Sequence, residues 1–174
     1  MTNQSDRSNM MNNLMIDCET LSLAPDALIL SIGACYFNAE GVGDCFYERI
    51  DFDLRYGDVD KATLMWWMKQ DQAIRDETFS GKLYLEQVLI RFAAFAKFDV
   101  RCWSKHMIDF VWLKSAYGQC GMRYPLNYKL SFDYATMEML APSAHNKLNN
   151  HCALDDAINQ ASRLIEIHKV IPCL

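Results

Sequence analysis

The chain has 174 residues, 51% of them hydrophobic, which fits one domain with an apolar core. A formal net charge of −5 and the lack of a long basic run do not indicate bulk electrostatic attraction to nucleic acid, so any such contacts would be local or mediated by cations. The seven cysteines include no Cys-x-x-Cys pair, which argues against a disulfide framework or structural zinc site and favours a reducing compartment.

The N-terminal residues are polar, and we expect residues 1–12 to form a flexible tail before a single domain at 13–174. Residues 1–13 lack the apolar core of a signal peptide, and no later segment reaches about 18 uninterrupted apolar residues. We therefore expect a soluble, cytoplasmic protein with no membrane partner.

Three apolar runs open the domain. They lie at 14–20, 27–37 and 45–52, with a turn at Pro25 after the first and a turn signal at 38–43 after the second. Short turns between successive strands predict an antiparallel meander.

Helical and strand patterns alternate along the rest of the chain. Helical spacing or capping signals predict helices at 61–70, 81–98, 107–120, 135–140 and 153–169. Short apolar runs predict strands at 100–104 and 129–134, and a polar loop is expected at 142–150. Asp60 or Thr63 is the expected cap of the first helix. This order predicts an α/β fold with a mixed sheet covered by helices.

The first strand carries two acids, Asp17 and Glu19. Side chains alternate across a strand, so residues two apart point to the same face. Two buried carboxylates repel each other and lose hydration, and oxygen ligands of this kind suit Mg²⁺ or Mn²⁺. The competing interpretation of this pair alone is that one carboxylate caps a helix and the other is solvated at the end of the strand.

Further acids lie near predicted helix starts. Asp109 opens the helix after the fourth strand, and His151 precedes Asp155 and Asp156 at the start of the last helix. Stabilisation by the helix dipole would account for each acid separately. If the helix included His151, Asp155 would lie about 40° from it and Asp156 about 140°, which would pair the histidine with Asp155.

The order of these residues resembles the DEDD superfamily of 3′-to-5′ exonucleases, in its histidine-containing branch, over residues 12–168. The resemblance to the three motifs of the family lies at residues 17–20, 103–110 and 151–157. The segments 29–34 and 63–70 are similar to small phage and bacterial exonucleases of the exonuclease-VIII-like and mycobacterial-exoribonuclease-like group. The resemblance implies a ribonuclease-H-like fold with a five-stranded mixed sheet whose first three strands are antiparallel.

The resemblance also implies a two-metal mechanism with Mg²⁺ or Mn²⁺ ions about 4 Å apart. In that mechanism Asp17 would bridge both ions. The remaining metal ligands would be Glu19, Asp109 and Asp156. His151 would act as the general base, since an imidazole titrates near neutrality. The resemblance selects Asp156 rather than Asp155, because in the family the histidine lies in the loop before the helix.

The implied substrate is nucleic acid with a free 3′ end, single-stranded or with a 3′ overhang, in a bacterial or phage-infected cell. Thr20 and Leu21 would lie beside the terminal nucleotide, and Trp66 or Trp67 would stack on a base, although tryptophans on such a helix are more often core. The second motif has Lys105 and a histidine at positions where relatives more often have small or neutral residues. The sequence does not distinguish RNA from DNA as the substrate. It also does not fix the oligomeric state, although some relatives are dimers.

Two alternatives stay open at this point. The fold could belong to a catalytically silent nucleic-acid-binding module, although all four acids and the histidine are present. An unrelated metal-binding α/β domain could match by chance, in which case its carboxylates would lie scattered by more than about 10 Å.

Overall fold

The computed structural model describes residues 11–53, 55–141 and 151–172. Its centre is a five-stranded sheet in the order β3-β2-β1-β4-β5. The strands are β1 (Asn13–Thr20), β2 (Ile29–Phe37), β3 (Val42–Arg49), β4 (Arg101–Ser104) and β5 (Ser131–Asp133). The predicted tail, apart from residues 11 and 12, and the predicted loop at 142–150 lie outside the described residues.

The sheet is mixed, and β1 lies at its middle. β1 pairs antiparallel with β2, and β2 pairs antiparallel with β3. β4 runs parallel to β1, and β5 runs parallel to β4. The predicted five-stranded sheet with an antiparallel opening meander is therefore confirmed.

Six α-helices accompany the sheet within the described part of the chain. They are α1 (Lys61–Trp67), α2 (Gln72–Thr78), α3 (Leu85–Phe95), α4 (Ile108–Gln119), α5 (Tyr134–Leu140) and α6 (Ala153–His168). Asp60 caps α1, because its side chain accepts the backbone N–H of Thr63 at 2.8 Å. None of the described helices is long and apolar enough to cross a membrane.

Besides small differences in where elements begin and end, such as Leu85–Phe95 where a helix was predicted at 81–98, two features of the structure were not expected. The third strand begins at Val42 rather than 45, because the Asn38 side chain accepts the N–H groups of Glu40 and Gly41 and closes the turn early. The helix α2 was not predicted. Its seven residues carry only Ala73 and Ile74 as apolar positions, which is too short a stripe to show helical periodicity.

Apolar side chains fill both sides of the sheet. On one side Leu14 and Ile16 of β1 pack in a cluster with residues of α3 and α4. On the other side Met15 packs in a cluster with residues of α6. The two-residue period of β1 therefore assigns alternate side chains to opposite faces, and Asp17 and Glu19 continue the row that begins at Met15.

Candidate active site

Three carboxylates converge where the end of β1 meets the start of α6. Carboxylate oxygens of Asp17, Glu19 and Asp156 all lie within 4.8 Å of one another. We call these three residues the carboxylate trio. Two come from one face of β1 and the third from the first turn of α6. The arrangement excludes the interpretation in which these acids are scattered by chance.

The start of α6 decides which of two neighbouring aspartates joins the trio. The helix begins at Ala153, and His151 lies before it with a φ of 49°. Because His151 is not part of the helix, the angular argument that favoured Asp155 does not apply. Asp155 is exposed and lines a separate open pocket that also contains His151.

A glycine in β2 allows α6 to lie this close to the sheet. A Cβ atom on Gly33 would lie 2.1 Å from the backbone carbonyl carbon of Ala153, far inside contact distance. Gly33 is the residue opposite Asp17 in the β1–β2 pairing. The missing side chain therefore brings the first turn of α6 to the strand that carries the other two acids.

Asp109 lies beside the trio without belonging to it. It is 3% exposed, and its Oδ1 accepts the backbone N–H of Cys18 at 2.9 Å. Burial raises the pKa of Asp109 to about 7, although the Cys18 N–H lowers it. The predicted fourth acid is thus anchored to the strand residue between Asp17 and Glu19.

The acids at the end of β1 suppress one another's ionisation. Burial raises the pKa of Asp17 well above its usual range, and the charges of Asp109 and Glu19 add to that effect. Burial raises the pKa of Glu19 to about 8, with added effects from Asp156 and Asp109. Both pKa values rise because the carboxylates are buried beside one another, so their ionised forms would be stabilised by a cation bound at this position.

Positive charge near Asp156 is limited. Burial raises its pKa, while the charges of His151 and Lys105 lower it. Within the described ranges, no lysine or arginine forms an ion pair with a member of the trio. A compact all-oxygen donor set that needs positive charge fits a hard divalent cation such as Mg²⁺ or Mn²⁺.

Two tryptophans contact the predicted general base. The ring of Trp66 meets the ring of His151 edge-on, with centroids 4.8 Å apart and planes at 88°. Trp67 is 1% exposed and donates its indole N–H to the Thr20 carbonyl at 2.9 Å. The idea that Trp67 stacks on a base is wrong, because it is a core residue. Trp66 is 42% exposed and keeps a free surface.

Thr20, the last residue of the first motif, and Leu21 after it are both buried. Leu21 is 0% exposed and packs in a cluster with Leu28, Leu30 and Trp67. The hydroxyl of Thr20 donates to the Ser22 carbonyl at 2.8 Å. Contact of Leu21 with a terminal base stays a prediction, and in this structure its side chain has no exposed surface.

Sequence reasoning missed one polar residue of the site. The side chain of Gln160 donates from Nε2 to Oδ1 of Asp17 at 2.7 Å. The signal was present in the spacing, because Gln160 follows Asp156 by four residues and so lies on the same helix face. Glutamine was overlooked because it carries no charge to mark it.

A mixed five-stranded sheet with a carboxylate trio at the end of its central strand is the arrangement that the sequence resemblance implied. Residues 12–168 match the family model described as the 3′-5′ exoribonuclease Rv2179c-like domain. The chain belongs to this family and is a 3′-5′ exonuclease. No curated protein matches the chain in sequence.

Solved structures share the fold at low sequence identity. Pop2p of S. pombe, in a form with bound Mg²⁺ and Mn²⁺, aligns over 92% of this chain and 84% of its own, with a TM-score of 0.63 and 12% identity. The nuclease domain of 3′hExo, a DEDDh family member bound to rAMP, aligns over 91% and 92%, with a TM-score of 0.62 and 14% identity. Exonuclease X in complex with 5′-overhanging duplex DNA aligns over 93% and 94%, with a TM-score of 0.60 and 13% identity.

Proposed function

We propose that the protein removes nucleotides from the free 3′ end of a nucleic acid and releases nucleoside 5′-monophosphates, with two Mg²⁺ or Mn²⁺ ions at the site. The observation that carries this proposal is the carboxylate trio, whose oxygens lie within 4.8 Å of one another. The raised pKa values of Asp17 and Glu19 support it, because bound cations would supply the charge that the described residues do not.

The trio and Asp109 would hold the ions. The charges of Asp109, Glu19 and Asp156 all raise the pKa of Asp17, so Asp17 would be the ligand common to both ions. Asp109 accepts the Cys18 N–H through Oδ1, and it would support an ion through the remaining lone pairs of its carboxylate or through water. When bound, the cations would offset charge on the scissile phosphate and acidify the attacking water.

His151 would take the proton of the attacking water. A neutral imidazole has one ring nitrogen that can accept a proton, which suits a general base. The residue lies close enough to Asp156 for its charge to lower the pKa of that carboxyl, so Asp156 would stabilise the protonated imidazole. The edge-on contact with Trp66 restrains the ring.

We propose single-stranded RNA, or an RNA 3′ overhang, as the preferred substrate. The support is the exoribonuclease description of the family that the chain matches. Trp66 would stack on a base with the part of its ring that is exposed. A homodimer and a cytoplasmic location remain predictions.

The sharpest test compares two neighbouring aspartates. Asp156→Asn removes one charge from the trio, and the matched Asp155→Asn removes one charge from an exposed position a single residue away. We expect Asp156→Asn to lower the rate of 3′-end RNA degradation in Mg²⁺ by at least about 100-fold, and Asp155→Asn by less than about threefold. Equal effects would refute the assignment. Folded wild type that degrades neither RNA nor DNA would favour the catalytically silent module.

A further inference from the structure

Gln160 lies on α6, one turn beyond Asp156 and against the end of β1. Its Nε2 donates to Asp17 Oδ1 at 2.7 Å. Its other polar atom, Oε1, is buried and has no hydrogen-bond partner among the described residues. One end of this amide is therefore fixed on a site acid, and the other end is an acceptor that needs a donor.

The chemistry of the pair decides which way the amide faces. An ionised carboxylate only accepts hydrogen bonds, and an amide presents a donor end and an acceptor end. When a bound cation keeps Asp17 ionised, the donor end of the amide must face that carboxylate, and Oε1 points away from it. A buried amide oxygen is usually paired with protein or with ordered water. Since the described side chains supply no donor, water is the group that fits.

We propose that Gln160 is a positioning residue of the metal site. Its Nε2 fixes the orientation of the Asp17 carboxylate, and its buried Oε1 would accept a hydrogen bond from water held at the site when a cation is bound. This inference rests on the proposed function, because it requires a cation at the trio. Partners of this kind, which hold a ligand rather than the ion itself, typically change metal affinity by about 10–100-fold when removed.

The test uses Gln160→Met, which keeps length and helix propensity and removes both polar atoms. The matched control is Ser162→Met, which introduces the same residue at an exposed position on the same helix. Mn²⁺ is titrated into each full-length protein by calorimetry, and the melting temperature is measured without metal. We expect Gln160→Met to bind Mn²⁺ about 10–100-fold more weakly, with kcat recovering at saturating Mn²⁺, and Ser162→Met to match wild type.

A merely structural role would give a different result. It would lower the melting temperature without metal and leave the Mn²⁺ affinity of the folded protein unchanged, which would overturn the proposal. If Gln160→Met does not fold, the side-chain amide resonance of Gln160 in the wild type gives the answer. We expect it to shift when Mg²⁺ is added, and no shift at saturating Mg²⁺ would overturn the proposal.

The two proposals fail in different ways. If the wild type degrades RNA and binds Mn²⁺ but Gln160→Met binds it equally well, only the role of Gln160 is refuted. If the folded wild type binds no Mn²⁺, the proposed function and the role of Gln160 are refuted together.

Discussion

Gly33 of β2 and Ala153 of α6 are in direct contact at the backbone, because a Cβ on the glycine would lie 2.1 Å from the Ala153 carbonyl carbon. The contact is possible only because glycine has no side chain. Gly33 lies opposite Asp17, and Ala153 lies three residues before Asp156. The contact between them therefore sets the distance between β1 and α6, the two elements that form the trio.

Replacing Gly33 with alanine should separate the trio. The added methyl group would push α6 away from β2, and overpacking of this kind costs about 1–3 kcal/mol in the free energy of unfolding. We expect Gly33→Ala to weaken Mn²⁺ binding by at least about tenfold, measured by calorimetry. Gly41→Ala is the control, because a Cβ at Gly41 meets nothing within 4 Å. A Gly33→Ala protein with wild-type stability and affinity would contradict this account.

Stability without metal should fall as pH rises. Burial raises the pKa of Glu19 from 4.5 in the unfolded chain to about 8, so between these values the native state holds a proton that the unfolded state has lost. Its stabilising contribution is complete below about pH 4.5 and is lost as the pH rises toward 8. We expect the free energy of unfolding in EDTA to drop by about 2–4 kcal/mol from pH 5 to pH 8.

A variant isolates the cause of that slope. Glu19→Gln should flatten the dependence of unfolding free energy on pH, while Asp155→Asn should keep it. Denaturant melts at pH 5, 6.5 and 8 measure the slope. A wild type that gains stability from pH 5 to pH 8 in EDTA would show that burial does not govern Glu19.

Trp66 should contribute to substrate binding. Base stacking on an aromatic side chain is worth about 1–3 kcal/mol, so Trp66→Ala should raise KM for single-stranded RNA by about 5–150-fold, and Trp66→Phe should raise it much less. Steady-state kinetics on one RNA sequence measure both variants. Trp67→Ala is a contrast, because loss of this buried side chain should cost about 3–5 kcal/mol of stability. Unchanged KM in Trp66→Ala would remove the stacking role.

Lys105 should weaken the binding of the metal ion and strengthen the binding of RNA. Its charge lowers the pKa of both Asp109 and Asp156, which places it beside the cation site. We expect Lys105→Gln to tighten Mn²⁺ binding by about two- to tenfold and to weaken RNA binding, with a smaller dependence of affinity on salt. Exposed Lys114 on α4 supplies the control variant Lys114→Gln. If the lysine does not contact RNA, the salt dependence of the two variants will be equal.

Sequence reasoning predicted most of the fold because its signals were local. The alternation along β1 placed Asp17 and Glu19 on one face, and the structure has them there. The helix α2 escaped prediction because its two apolar residues form no stripe, and its place is set by tertiary packing of Ile74 near Trp67.

The details of the site depended on contacts distant in sequence. Whether Asp155 or Asp156 joins the trio follows from where α6 begins, and the angular argument from helix geometry does not apply because His151 lies before the helix. Gln160 and Gly33 act through residues 143 and 120 positions away, respectively, and neither residue type signals a site by itself. Sequence reasoning favoured the core for both tryptophans, and the structure separates the buried Trp67 from the exposed Trp66.

The most direct measurement follows the product and direction of degradation. RNA labelled at its 5′ end is incubated with the wild type in Mg²⁺, Mn²⁺ or EDTA, beside DNA of the same sequence, and the small products are identified. The account predicts a ladder that shortens from the 3′ end, nucleoside 5′-monophosphates as products, faster loss of RNA than of DNA, and no reaction in EDTA. Degradation that persists in EDTA, internal cleavage, or release of nucleoside 3′-monophosphates would contradict it.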